Sequence, residues 1–256
     1  MAPQRNSAVL DPEEIDPYVF IYNLPALDDV AGRRCGGILG PQPSGVAGRP
    51  TLVLDLDETL VHCSVESLVD PDMVFPVLSE GTAYEVFLKK RPHLDAFLAH
   101  VSSRFEVVVF TASQEVYATT LLDLLDPQGV LIHHRLFRDA CIEVHGNFLK
   151  DLSILGRDLS RVALVDNSPQ AYGYQLDNGI PIPSWYDDPS DASLVALLPF
   201  LDTLAEAPDV RPLIRTTFNS ATVVDALGRA AQVYDHQHPL IQTQPSEATL
   251  GDGTRW

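Results

Sequence analysis

Thr51–Cys63 reads TLVLDLDETLVHC: a short apolar run leads directly into Asp55, Asp57 and Thr59, with Glu58 between them. An apolar β run bounded by Pro50 has the composition of a buried parallel strand. Ligands of open α/β sheets lie outside the carboxyl ends of such strands. A carboxylate at the strand tip, Asp55, can attack phosphorus and form an aspartyl-phosphate. Asp57 can protonate the leaving oxygen and later deprotonate water. Two crowded carboxylates repel a phosphate dianion, so a divalent cation is needed to hold the charges together. Mg²⁺, with its oxygen preference and retained waters, fits that role. Most isolated Asp-x-Asp pairs are ordinary turn formers, so the motif needs companions.

The companions follow at intervals. Phe105–Phe110 (FEVVVF) is a second apolar strand, ending on Thr111-Ala112-Ser113. Arg161–Val165 is a third, ending on Asp166-Asn167, and Lys150 precedes it. In a parallel sheet these tips lie along one edge. Together they supply a nucleophile, an acid/base, hydroxyl donors, a cation for the transferring oxygens and a carboxylate–amide pair for metal. Phosphoryl transfer is mostly positioning and charge stabilisation, and these are its parts.

The rest of the chain is organised around that edge. Residues 1–14 read as a mobile leader, and 15–50 as an aromatic docking segment (Ile15–Leu27) followed by a Gly/Pro/Ser linker. Residues 51–218 read as the domain. Within it, Val74–Leu78 and Tyr84–Leu88 predict a β-hairpin insertion at about 64–90. Arg91-Pro92 opens a helix, and Asp188–Ala207 predicts another. From 219 the apolar period fades and 219–256 reads as a tail. Strands alternating with helices predict an α/β fold, a parallel sheet covered by helices on both faces.

Composition narrows the function. The 256 residues are 45% hydrophobic, enough for one sizeable core plus tails. A net charge of −18 argues against passive binding to nucleic acid backbones. The three cysteines, at 35, 63 and 141, show no pairing pattern, and none has an Arg six residues later as a cysteine-nucleophile phosphatase requires. The absence of a membrane-length apolar run or a signal peptide predicts a soluble protein of the nucleus or cytoplasm. Lys89-Lys90-Arg91 is one of few basic runs, readable as a solvated strand end or as an attractor of an anionic peptide.

DLDET, FTAS, FLKDL and VDNSP resemble the four motifs of the haloacid-dehalogenase superfamily, in the branch of small C-terminal-domain phosphatases (the FCP/SCP group). The likeness extends over IDPYVFIYNLPAL, KRPHLDAFL, HHRLFRDAC, GNFLKDLSILGRDLS and DNSPQAYGYQLDNGIPI, roughly Asp16–Thr217. It implies a three-layer, Rossmann-like parallel sheet with a small β insertion after the first strand. It implies Asp55 as nucleophile, Asp57 as general acid/base and Thr59 as stabiliser of the intermediate. Thr111 would bind phosphate oxygen, with Ser113 beside it toward the substrate, and Lys150 would neutralise the phosphoryl group. Mg²⁺ would be held by Asp55, the Asp57 carbonyl and Asn167, with Asp166 close by through water. Arg138 would contact the substrate phosphate region, and Tyr117 would line a pocket for a substrate residue.

The implied activity is that of a monomeric serine/threonine phosphatase acting on the phosphorylated tail of RNA polymerase II or another phosphoprotein. Relatives acting on that tail carry an aromatic just after the first motif, where this chain has Val65, which weakens the tail as substrate. Independently of the resemblance, small-molecule phosphatases of this chemistry need a lid over the site. The only insertion after the first motif is some two dozen residues. An open cleft suits a phosphorylated side chain on a protein. The alternatives are a small-metabolite phosphatase of the same fold and a non-catalytic phosphopeptide-binding module.

Overall fold

The computed structural model describes residues 16–31, 37–79 and 81–237; the leader expected at 1–14 and the chain beyond 237 lie outside these. In chain order the elements are α1 (Pro17–Tyr22), α2 (Leu27–Ala31), β1 (Thr51–Leu54), β2 (Val61–Ser64), β3 (Met73–Ser79) and β4 (Thr82–Lys90). Then come α3 (Leu94–Arg104), β5 (Glu106–Phe110), α4 (Glu115–Leu125), β6 (His134–Leu136), β7 (Ile142–Val144), β8 (Asn147–Leu149), β9 (Val162–Asp166) and β10 (Gly179–Pro181). The chain continues through α5 (Ser193–Glu206), α6 (Arg211–Phe218) and α7 (Ser220–Gln237). Among the described residues no helix is long and apolar enough to cross a membrane.

The α/β class and the parallel sheet are as the sequence predicts. Five strands lie in the order β10-β9-β1-β5-β6, and every pairing is parallel. Because side chains alternate across a strand, Leu52, Leu54, Val107, Val109, Ala163 and Val165 face one side, where α3, α4 and α5 cover them. Val53, Val108, Phe110, Val162 and Leu164 face the other. Here the structure departs from helices on both faces. Short 3₁₀ turns, Leu152–Leu155 and Pro169–Tyr172, cover the second face with Leu152, Ile154, Leu155 and Tyr172. Each such fully buried Leu or Val contributes roughly 1.5–3 kcal/mol.

The segment expected as a linker also closes this second core. A Cβ on Gly37 would lie 2.3 Å from the Cα of Gly156, so only glycines allow the two backbones to meet. The Ile38 N–H donates to the Ile154 carbonyl, and Leu39 is buried beside the turn.

The predicted hairpin is present as β3 and β4, and β2 joins it to make a three-stranded sheet, β2-β4-β3. Val61–Ser64, read above as the end of the motif, pairs antiparallel with β4. The predicted helix at 188–207 starts later, at Ser193, because Asp188 and Asp191 turn back to accept the N–H groups of Ser190 and Ser193. Residues 220–237, read as tail, form α7 instead. It packs on α1, where Gly228 lets the Tyr22 ring approach the helix backbone, and Val224 joins Phe20 and Ile21 against β7 and β8. Lys150 follows β8 directly, so this cluster braces the strand that delivers it.

At the opposite end of the sheet from the tips, Glu106 is fully buried. It accepts two bonds from Arg157 (2.7 and 2.8 Å), one from Thr51 (2.7 Å) and one from Gln42 (3.1 Å), and faces His134 Nε2 at 3.0 Å. Burial pushes its carboxyl up, but the donors, Arg157 foremost, outweigh this and hold it at about 2. A folded value below the unfolded one means stability that is full above about pH 4.5 and lost as pH falls toward 2. That share is about 3 kcal/mol. Urea unfolding between pH 5 and 2.5 should show Glu106→Gln with a shallower acid slope than wild type. Parallel slopes would remove Glu106 from the acid response.

Candidate active site

The parallel register sets the tips side by side. Leu54 pairs with Val109 and Val165, so Asp55, Thr111 and Asp166 emerge at one edge. The Asp55 N–H donates to the Val165 carbonyl at 3.0 Å, which continues the ladder one residue past β1. The chain then turns sharply: Leu60 N–H bonds Leu56 O, and Glu58 N–H bonds Val61 O. Glu58 takes a left-handed φ of +56°, which a non-glycine residue holds only under external constraint. Trp185, buried, supplies one by donating its N–H to the Glu58 carbonyl at 2.8 Å.

Lys150 sits between two carboxylates. Its Nζ donates to Asp55 Oδ1 at 2.5 Å and to Asp166 Oδ2 at 2.6 Å, with the lysine 3% exposed. Burial disfavours the ammonium, yet Asp166 and Asp55 more than reverse this, so Lys150 stays charged. The Lys150 N–H anchors to the Ala171 carbonyl at 2.7 Å, fixing the backbone from which it reaches in.

Asp57 is held by three hydroxyls. Tyr117 donates to Oδ1 at 2.7 Å, while Ser113 and Thr111 donate to Oδ2 at 2.8 and 3.2 Å. Burial first and the Asp55 charge second raise Asp57, against the lowering effect of those donors. Glu58 is pushed up to about 7 by burial and then by the charges of Asp57 and Asp55. The direction is the same at both, set by burial first and by neighbouring carboxylates second.

The structure therefore brings Asp55, Asp57, Thr111, Ser113, Lys150 and Asp166 together. Thr59, fully buried, donates to Asn167 Oδ1 at 3.2 Å, and Asn167 Nδ2 donates to Ser184 at 2.8 Å. Tyr117 is placed differently from the expected substrate pocket. It is 2% exposed, stacks on Phe75 (6.5 Å, 24°) and spends its hydroxyl on Asp57, so it orients the acid. Ser113 and Thr111 share that duty, and Ser113 N–H also bonds Thr111 Oγ1. Arg138 lies at the side, its Nε donating to the Ala112 carbonyl at 2.6 Å and its guanidinium 5.0 Å over the Phe148 ring.

Sequence reasoning missed Arg91, which it read only as a helix opener in a basic run. Arg91 is 1% exposed, bidentate to Asp191 (2.8 and 3.0 Å) and bonded to the Thr59 carbonyl at 3.1 Å. It ties the motif loop to the loop before α5. Asp191, held at about 2 chiefly by Arg91, lies 100 residues away, and no local pattern announces the pair.

The donor set suits a hard divalent cation. Among the described residues no three His, Cys, Asp or Glu side chains gather as a metal cluster. The oxygens of Asp55, the Asp57 carbonyl, Asn167 and Asp166 offer a mixed carboxylate, carbonyl and amide set, which is Mg²⁺ chemistry. Four carboxyls (Asp55, Asp57, Glu58, Asp166) stand near one ammonium, and Asp57 and Glu58 are raised by burial first and by their acidic neighbours second.

Fold and edge together define an α/β protein whose parallel sheet carries a carboxylate–lysine–carboxylate bridge at its strand tips. The chain belongs to the NLI interacting factor-like phosphatase family, whose sequence model matches residues 50–211. It is similar to CTD small phosphatase-like protein 2 of Dictyostelium discoideum, 51% identical over 205 residues, 80% of this chain and 35% of that protein. CTD small phosphatase-like protein 3 of Caenorhabditis elegans is 47% identical over 203 residues, 79% of this chain and 70% of that one. The chain thus spans about a third of the first relative's length. Among solved structures, fission yeast RNA polymerase II CTD phosphatase Fcp1 bound to beryllium fluoride is similar with a TM-score of 0.48 and 22% identity, covering 78% of this chain and 59% of that one.

Proposed function

We propose that this chain is a Mg²⁺-dependent protein serine/threonine phosphatase that works through an aspartyl-phosphate on Asp55. The observation that carries the reading is the Asp55–Lys150–Asp166 bridge at the strand tips, with Asp57 oriented beside it by three hydroxyls. An Asp55 carboxylate oxygen attacks phosphorus, and the bond to the seryl or threonyl oxygen breaks. Asp57 gives that oxygen its proton, which the raised affinity of its carboxyl keeps available. Asp57 then takes a proton from water, the water oxygen attacks phosphorus, and the Asp55–phosphorus bond breaks to release inorganic phosphate. Lys150 neutralises the transferring oxygens throughout. Asp55, the Asp57 carbonyl, Asn167 and Asp166 would hold Mg²⁺, which would supply the remaining charge compensation.

The small insertion supports a protein surface as substrate, since a sheet packed by one face on the core is not a lid. The relatives' shared name brings a phosphorylated C-terminal domain into consideration; Val65, half-exposed where an aromatic was expected, favours another phosphoprotein. The test is phosphate release from phosphoserine, phosphothreonine and phosphotyrosine peptides at slightly acidic pH, with Mg²⁺ or EDTA. Release from the serine or threonine peptides that EDTA abolishes is the expected result. Turnover of small phosphoesters alone would make the chain a metabolite phosphatase, and no turnover of either would leave a binding module.

A further inference from the structure

The structure divides the basic run Lys89-Lys90-Arg91. Arg91 closes on Asp191 and Thr59, and Lys90 pairs with Asp95 at 2.9 Å. The Lys89 ammonium, half-buried, has no hydrogen bond or ion pair among the described residues. Its position is set by register: Lys89 lies opposite His62, and Phe87 lies opposite both Ser64 and Val74. Alternate residues of a strand share a face. Lys89, His62, Phe87 and Val74 therefore share the outer face of the insertion sheet. The inner face carries Leu88, Val86, Phe75 and Val77 into the core.

That outer face is open and mixed: apolar at Phe87, Val74 and Leu78, with exposed Glu85 two residues from Phe87 on the side away from Lys89. Val74 is 49% exposed and Leu78, on the same face, 64%. Its head adjoins the active site: His62 Nδ1 lies 3.2 Å from Glu58 of the motif loop, and Tyr186 stands edge-on to the imidazole at 5.3 Å. The Asp57–Val61 bridge, one residue step to His62 and one strand spacing to Lys89 make a backbone path of roughly 14 Å, about four residues of extended peptide. An uncompensated cation in a chain of net charge −18 is a local attractor for a single negative group.

We propose that the outer face of this sheet docks the substrate chain itself. Lys89 pairs with an anionic side chain about four residues from the phosphoresidue, and Phe87 and Val74 cover apolar side chains beyond it. The inference rests on the protein-phosphatase reading above and adds a specificity determinant to it.

The test uses the full chain with Mg²⁺ and phosphoserine peptides carrying glutamate, a second phosphoserine or alanine four residues from the target, on either side. Each variant serves as its own control through the ratio of kcat/KM for an anionic peptide to that for the alanine peptide. On one side the wild-type ratio is expected to be roughly five, the effect of one partly exposed ion pair. It should fall to about one in Lys89→Ala and below one in Lys89→Glu. The glutamate and second-phosphoserine peptides separate a carboxylate site from a phosphate site. Val74→Glu should raise KM for the alanine peptide too. A wild-type ratio of one on both sides, or a ratio that Lys89→Glu does not move, overturns the docking surface and leaves the phosphatase reading intact. Wild-type turnover of a small aryl phosphate with no peptide hydrolysis overturns the protein substrate, and this inference with it.

Discussion

Asp55→Asn is expected to reduce phosphate release by at least about 10⁴-fold, the scale seen when a covalent nucleophile is removed, while the protein stays folded. An amide oxygen does not attack phosphorus at a useful rate. It can still accept the Lys150 bond that Asp55 accepts at 2.5 Å, so the geometry of the edge survives. The charge balance improves, because Lys150 is then shared by one buried carboxylate, Asp166, instead of two. Thermal unfolding of the variant should therefore match or exceed that of wild type. The pairing of lost turnover with kept stability is what separates a nucleophile from a structural acid. A variant within tenfold of wild-type rate would move the nucleophile elsewhere.

Lys150→Met should lose both turnover and stability. Methionine keeps the length of the side chain but removes the ammonium from between two buried carboxylates. Breaking a buried pair by removing one partner costs about 3–5 kcal/mol, because the remaining charge is uncompensated. Loss of the charge that faces the transferring oxygens should reduce kcat by about 10²–10³-fold. The stability deficit has a pH signature. With the lysine gone, buried Asp166 loses the charge that opposes its upward shift and binds its proton more tightly than in the unfolded chain, so the deficit shrinks as pH falls from 7 to 5. Urea midpoints at those two pH values check the sign. A deficit that is constant or grows on acidification would mean that the lysine is held for packing.

What was legible in the sequence was legible for a local reason. In β1, β5 and β9 the apolar run and the polar tip are covalent neighbours, so TLVLD, FEVVVFT and RVALVD each carry strand and chemistry together. Parallel pairing then does the assembly, and Asp55, Thr111 and Asp166 meet as expected. Lys150 is similarly anchored by its place just after a strand. What stayed hidden depends on tertiary contacts. Tyr117 has the spacing of a core aromatic, and only the fold turns its hydroxyl onto Asp57, 60 residues earlier. Arg91 and Asp191 are separated in sequence by four of the five strands of the parallel sheet, so their pair leaves no periodic trace.

Two stretches misled for physical reasons. The second sheet face is covered by 3₁₀ turns, whose three-residue period is too short to show as an amphipathic helix. The helix at 220–237 buries only a narrow stripe, Val224 with Gly228 over Tyr22, while Leu227 and Val233 stay in contact with solvent. Its apolar period is weak because its partner is one short helix, not the core. The hairpin read in Ser64–Lys90 is there as β3 and β4; only the third strand, Val61–Ser64, was hidden inside the motif that precedes it.

The most direct test of the central claim is to trap the covalent intermediate. Wild-type protein with Mg²⁺ and a phosphoserine peptide would be quenched in acid within milliseconds, digested, and its peptides weighed. One added phosphate is expected on the peptide containing Asp55, labile to hydroxylamine and absent from Asp55→Asn. Phosphate released in a single turnover with no phosphorylated Asp55, or with the label on another residue, would contradict it.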